Sequence, residues 1–97
     1  MEHDFIPCAI YNTDKKEIVG LFKTRAYASK YIFGFKNNVT IKYIISAITD
    51  KKNLTPKITQ LPYKIAIRNL TETQKLTLGE ADFVILNNYE KPLIKYK

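Results

Sequence analysis

The sequence predicts a small α+β domain: an N-terminal β-hairpin, a basic two-helix unit of helix-turn-helix type, then a strand, a short helix and a C-terminal strand pair. Three observations lead there. β-branched and aromatic runs open and close the chain, two segments between them repeat apolar residues at helical spacing, and cap and turn residues punctuate the joints. With 97 residues, 45% of them hydrophobic, the chain has material for one core and no length for a second. The whole of 1–97 is therefore read as one domain, with the hairpin over 1–22, the helix pair over 23–52 and the strand, helix and last strands over 53–97.

Phe5 to Tyr11 and Glu17 to Phe22 carry the residues that suit strands, and Asn12-Thr13-Asp14-Lys15-Lys16 between them is a turn cluster. Pro7 lacks a ladder donor, which places it at the start or edge of its strand and argues against a central position for that strand. Gly20 marks a candidate bulge. Thr24 stands as an N-cap; Ala26, Ala28, Tyr31 and Ile32 follow at the spacing of an amphipathic helix, Gly34 ends it, and Arg25, Ser29 and Lys30 fall toward water. A second helix is expected over Val39 to Lys51. Ile41, Ile44, Ile45 and Ile48 cluster on one side of its wheel, leaving Lys42, Tyr43, Ser46 and Asp50 on the solvent face. Asn37, Asn38 and Thr40 each suit its N-terminal cap.

Lys51 to Leu61 reads as a polar linker around Pro56. Tyr63 to Arg68 then alternates Ile65 and Ile67 with Lys64, Ala66 and Arg68, the pattern of a half-buried strand and a place for the wing of a winged helix. Thr71 and Gln74 have capping-box spacing, so a third, short helix is expected to run to Leu78 and stop at Gly79. Phe83 to Leu86 reads as a strand, Asn87 to Pro92 as a turn and Leu93 to Tyr96 as a last strand.

Charge is placed unevenly. Of the net +7, +6 lies in Lys23 to Lys52, where Lys23, Arg25, Lys30, Lys36, Lys42, Lys51 and Lys52 stand against the single acid Asp50. The residues before this stretch sum to −2 and those after it to +3. Positive charge gathered on a helix pair points to a polyanion as partner.

Catalysis has little to stand on. His3 and Cys8 are the sole histidine and cysteine, and their odd spacing sends them to opposite faces of a strand that holds both. One thiol forms no intramolecular disulfide, and one His with one Cys builds no four-ligand metal cage. Gly20, Gly34 and Gly79 form no phosphate-cradling loop. No enzymatic activity, cofactor or metal is expected. The acidic N-terminus is unlike a signal peptide, and the apolar cluster from Ile41 to Ile48, broken by Lys42 and Ser46, is far shorter than the roughly 20 residues of a membrane span. The expected location is the cytoplasm, with no membrane partner.

Tyr11 to Thr24, with Phe22 and Thr24 at the end of the hairpin, is followed by Ala28, Tyr31, Ile32 and Gly34, then by Ile41, Ile44, Ile45, Ile48, Lys51 and Lys52. Over Tyr11 to Asn53, about half the chain, this order resembles the nuclease-associated modular DNA-binding repeats found beside phage and intron homing endonucleases. In those repeats a short hairpin ends in a Phe-x-Ser/Thr step, and two helices follow, the second with a run of Ile or Leu before a Lys-rich turn. The turn from Gly34 to Asn38 is longer than that of a compact helix-turn-helix, and the chain has no length for the nuclease domain that usually accompanies the repeats. The resemblance implies a free-standing DNA-binding module of phage or mobile-element type, acting in the host cytoplasm.

The residues themselves give the candidate interface. A second helix buried through its isoleucines offers Lys42, Tyr43 and Ser46 to the major groove of duplex DNA, with Asn38 at its start. Arg25, Lys30, Lys36, Lys51 and Lys52 flank it as phosphate contacts. Tyr27, Tyr31, Phe33 and Phe35 form an aromatic cluster near the inter-helix turn, explained mainly as core packing. The competing expectation is a protein-interaction module, such as a phage-encoded inhibitor docking on a host nucleic-acid-processing protein, with Tyr63, Tyr89 and Tyr96 as contact candidates.

Overall fold

The alternation of side chains along the first strand sets up the architecture. In the computed structural model, which describes residues 6–87 and Tyr89, β1 (Cys8–Asn12) sends Cys8 and Ile10 to one side of a sheet and Ala9 and Tyr11 to the other. Its terminal Asn12 folds the turn that follows, the side-chain oxygen accepting from the amides of Asp14 (2.9 Å) and Lys15 (3.1 Å). The chain returns as β2 (Glu17–Phe22), with Cys8 opposite Phe22, Ala9 opposite Leu21 and Tyr11 opposite Ile18. The register slips between Ile10 and Tyr11, so β2 carries one extra residue beside Gly20, where a bulge was expected. Glycine is required there because a Cβ would lie 2.9 Å from the carbonyl oxygen of Val84.

That carbonyl belongs to β4 (Phe83–Ile85), which pairs with β2, while β3 (Ile65–Arg68) pairs with β1; the antiparallel order is β3-β1-β2-β4. Two expectations are corrected here. β1 is central, because Pro7 precedes the strand and its missing amide interrupts no ladder. β3 is an edge strand of this sheet and not a wing, and the bridge of Leu54 to Ile65 leads into it. β4 finds its partner in β2; the strand expected at Leu93 to Tyr96, and most of the turn before it, lie outside the described residues.

Three helices cover the sheet. α1 (Arg25–Phe33) begins where Thr24 Oγ1 accepts the amide of Tyr27 and ends at Gly34, whose φ of 88° lets its N–H reach the carbonyl of Lys30. α2 (Asn38–Thr49) starts with a capping box in which Asn37 and Thr40 satisfy each other's amides, settling the choice of cap on Asn37. α3 (Glu72–Leu78) has the expected Thr71–Gln74 box. α1 and α2 pack on the Cys8–Ile10 side with Phe22, Ile32, Ile44, Ala47, Leu61 and Ile67. α3 covers the other side through Leu78 against Ala9 and Leu21, and Gln74 Nε2 donates to Tyr11 Oη at 2.7 Å. Among the described residues, no helix is long and apolar enough to cross a membrane.

The buried face of α2 is turned from the expected one: Thr40, Ile41, Ile44 and Ala47 are buried, whereas Ile45 and Ile48 are only half so. The cause lies in the turn before it. Ser29, expected at the surface, is buried, and its Oγ lies 2.7 Å from both the carbonyl oxygen of Phe35 and Oγ1 of Thr40, which draws the Thr40 side of α2 against α1. The segment from Lys51 to Leu61 also differs from a solvated linker, since Leu54, Thr59 and Leu61 are buried and the amide of Gln60 donates to the carbonyl of Ile32. Tyr63 and Tyr89, named as contact candidates, belong to the core: Tyr89 Oη accepts from Asn12 and donates to Glu17, and Tyr31 Oη donates to the Tyr89 carbonyl. Tyr96 lies outside the described residues.

Candidate nucleic-acid interface

With one side of α2 fixed against α1 and β3, its opposite side faces solvent. Val39, Lys42, Tyr43 and Ser46 recur at i, i+3, i+4 and i+7, so they share one stripe, and together they line a shallow depression of about 250 Å³. A second depression of about 210 Å³ adjoins it, sharing Tyr43 and Ser46 and reaching Lys52, Asn53, Leu54 and Ile58. Among the described residues, neither has an acidic residue in its lining. The rings of Tyr43 and Phe33 stack at 5.8 Å with 29° between planes, tying the outer face of α2 to the last turn of α1 and holding the tyrosine in one orientation.

The candidate residues separate into three groups. Lys42, Tyr43, Ser46 and Lys52 are brought together on this face, Lys52 returning to it because Lys51, at φ 56°, turns the chain just after the helix. Lys51 is exposed beside Lys52, and Lys36 and Asn38 are exposed at the opposite end of α2. Ser46 is half-buried, and its hydroxyl donates to Asp50 at 3.2 Å, which places one carboxylate at the helix end. Lys30 belongs elsewhere: with Phe22, Tyr27, Tyr31 and Phe83 it lines a depression against the edge strand β4. There the carboxylate of Asp82, as hydrogen-bond partner and as a charge opposing the phenolate, holds the pKa of Tyr27 above its ordinary value.

Arg25 corrects the sequence reading outright. It is 6% exposed, packed inward at the start of α1, and is not a phosphate contact on the helix-pair surface. An arginine at the first helical position reads as solvated on the wheel of that helix alone, and only the packing of the sheet end beneath it shows otherwise.

Two apolar members of the interface were not named as such from the sequence. Val39, in the first depression, is 59% exposed, and Ile58 is exposed at the rim of the second. The wheel that selected Tyr43 and Ser46 also contains Val39 between them; Ile58 had no periodic signal, lying in the segment read as linker.

Cys8 is sealed under α1. Burial pushes its thiol up to about 12, against a smaller opposing pull from the charge of Arg25, and so favours the protonated form at neutral pH. Among the described residues, no group of three or more His, Cys, Asp or Glu side chains converges to hold a metal ion. Compared with models of known protein families, with curated proteins and with solved structures, the chain finds no match.

Proposed function

We propose that the protein is a small nucleic-acid-binding module of phage or mobile-element type that engages duplex DNA through the outer face of α2. The observation that carries this reading is the joined pair of acid-free depressions in which Lys42, Tyr43, Ser46 and Lys52 meet. A helix of 12 residues is about 18 Å long, enough to lie along a major groove roughly 12 Å wide. In that pose Tyr43 faces base edges, Val39 offers a methyl-sized apolar contact of the kind thymine accepts, and Lys42, Lys51 and Lys52 pair with phosphates.

The test is salt dependence. If Lys42, Lys51 and Lys52 neutralise about three phosphates, log K for a duplex falls against log salt with a slope near −2.7, roughly a 40-fold loss between 50 and 200 mM. Replacing Lys51 and Lys52 by alanine should flatten that slope to about −0.9 and weaken all sequences alike, whereas Lys30→Ala, on the β4 side, should leave it unchanged. Absence of duplex binding at tens of micromolar protein and low salt defeats the reading.

One observation favours a second reading. Val39 and Ile58 expose more apolar surface beside the lysines than phosphate recognition uses. A host nucleic-acid-processing protein with an apolar patch rimmed by acids fits the same face, and the chain would then act as an inhibitor docked on it. Capture of such a partner that survives nuclease treatment of the lysate, and is lost with Val39→Asp, selects this reading over the first.

A further inference from the structure

The inward turn of Arg25 leaves part of its guanidinium unpaired. Its Nε is buried and makes no hydrogen bond with the described residues, and a buried donor without an acceptor carries the full cost of its lost hydration. Beside it lies a depression of about 270 Å³ lined by Arg25, Asn69, Lys75, Ile6, Pro7 and Leu70. Among the described residues, the lining thus holds two cations, one amide donor and three apolar side chains, with no carboxylate. Its position, between the start of α1 and the connection from β3 to α3, shares no residue with the two depressions on α2.

We propose that this depression is an oxyanion site for a phosphate-class ligand, anchored by the guanidinium of Arg25 and closed from the rim by Asn69 and Lys75. Arginine suits the buried position because its guanidinium is weakly hydrated and presents donors in a fixed fork to oxyanions. A tetrahedral dianion matches the arrangement better than a carboxylate does, since it balances two cations and offers oxygens to three donor side chains at once. The volume exceeds the roughly 30 Å³ share of a single water, which leaves room for such an ion with part of its hydration. The apolar side chains of Ile6, Pro7 and Leu70 remove part of the hydration around these contacts. Glu72 is the competitor: its carboxylate lies 3.5 Å from the Lys75 ammonium, but both side chains are mostly exposed, so the pair is weak and gives way to a bound dianion.

The experiment follows the Nε–Hε resonance of Arg25 in the full-length ¹⁵N-labelled chain during titration with inorganic phosphate, with chloride at matched ionic strength and with acetate as references. A saturable shift with phosphate, at an affinity roughly tenfold or more above that for acetate, is expected. Lys75→Ala should weaken phosphate binding about three- to tenfold, and Glu72→Gln should tighten it about twofold by freeing the ammonium; both positions are exposed, so folding is not at stake. A resonance that moves no more with phosphate than with chloride overturns the site. Acetate binding as tightly as phosphate overturns the assignment of ligand class, and an unchanged affinity in Lys75→Ala removes the proposed second cation. None of these outcomes depends on whether α2 binds DNA.

Discussion

Replacing Ser29 by alanine should destabilise the protein by about 1–3 kcal/mol through the turn that joins α1 to α2. The magnitude follows from where each proton goes. Thr40 Oγ1 donates to the carbonyl of Asn37 and accepts the Asn37 amide, both at 2.9 Å, so its remaining lone pair faces Ser29. The single hydroxyl proton of Ser29 is shared between that lone pair and the carbonyl of Phe35, each 2.7 Å away. Alanine removes the donor from both. Phe35 lies at the surface and its carbonyl regains water, which keeps the loss below that of a fully buried orphan; Thr40 stays buried with one acceptor site unfilled. For a domain of this size the drop in Tm is roughly 5–15 °C. Thermal and urea unfolding of Ser29→Ala, Thr40→Ala and the double variant measure it. Thr40→Ala also breaks the capping box, so the double variant should be less destabilised than the sum of the singles by about 0.5–1.5 kcal/mol. A Ser29→Ala melt within about 2 °C of wild type, or strictly additive variants, would refute the network as the cause of the rotation of α2.

Ile44→Ala should cost about 2–5 kcal/mol in urea unfolding, and Ile48→Ala clearly less, because Ile44 is fully buried and Ile48 only half so; equal losses would contradict the orientation given to α2. Cys8 should react with a thiol reagent only on the timescale of unfolding at pH 8, fast labelling of the folded chain being the contrary result. Its raised pKa also fixes the sign of an alkaline effect. Below about pH 9 the thiol is protonated in both states and contributes no pH dependence; from there toward 12 the unfolded thiol ionises while the folded one does not, so wild-type stability falls by about 1.4 kcal/mol per pH unit more steeply than that of Cys8→Ala. Tyr89, pushed up to about 12 by burial and by its bond to Glu17, adds to the decline in both proteins above its ordinary value and cancels in the comparison. Parallel profiles for the two chains would show that the thiol is not buried as described.

Local signals were the legible part of the sequence. Thr24, Gly34, Thr71 with Gln74 and Gly20 each act over a few residues, through a cap, a left-handed turn or a close backbone approach, and each stands where the sequence placed it. What failed was set by neighbours far along the chain. Ser29 and Arg25 look solvated on the wheel of α1 because nothing within the nine residues of the helix itself shows that Phe35 and Thr40 close over one and the end of the sheet over the other. The centrality of β1 depends on Ile65–Arg68 returning some fifty residues later to take its free edge, which no property of Pro7 encodes. In the interface the charged members were visible because lysine at helical spacing is a strong signal, whereas Ile58 reaches the same surface through a segment without periodicity.

The division of the basic residues constrains how the protein recognises its partner. Segment charge and surface charge are different quantities: of the cations between Lys23 and Lys52, Arg25 is buried and Lys30 lies beside β4, so the face that α2 presents has fewer lysines than the sequence total implies. A small electrostatic footprint gives a shallow salt slope and little non-specific affinity. Binding through this face must therefore draw on contacts that salt does not screen, and the face supplies them in Val39, Ile58 and a tyrosine already held by Phe33. Prior immobilisation of Tyr43 reduces the entropy lost on contact. On the proposed reading, the outer surface of α2 calls for a partner that offers shape and apolar groups as well as negative charge, a condition that a major groove with thymine methyls meets and a bare phosphate backbone does not.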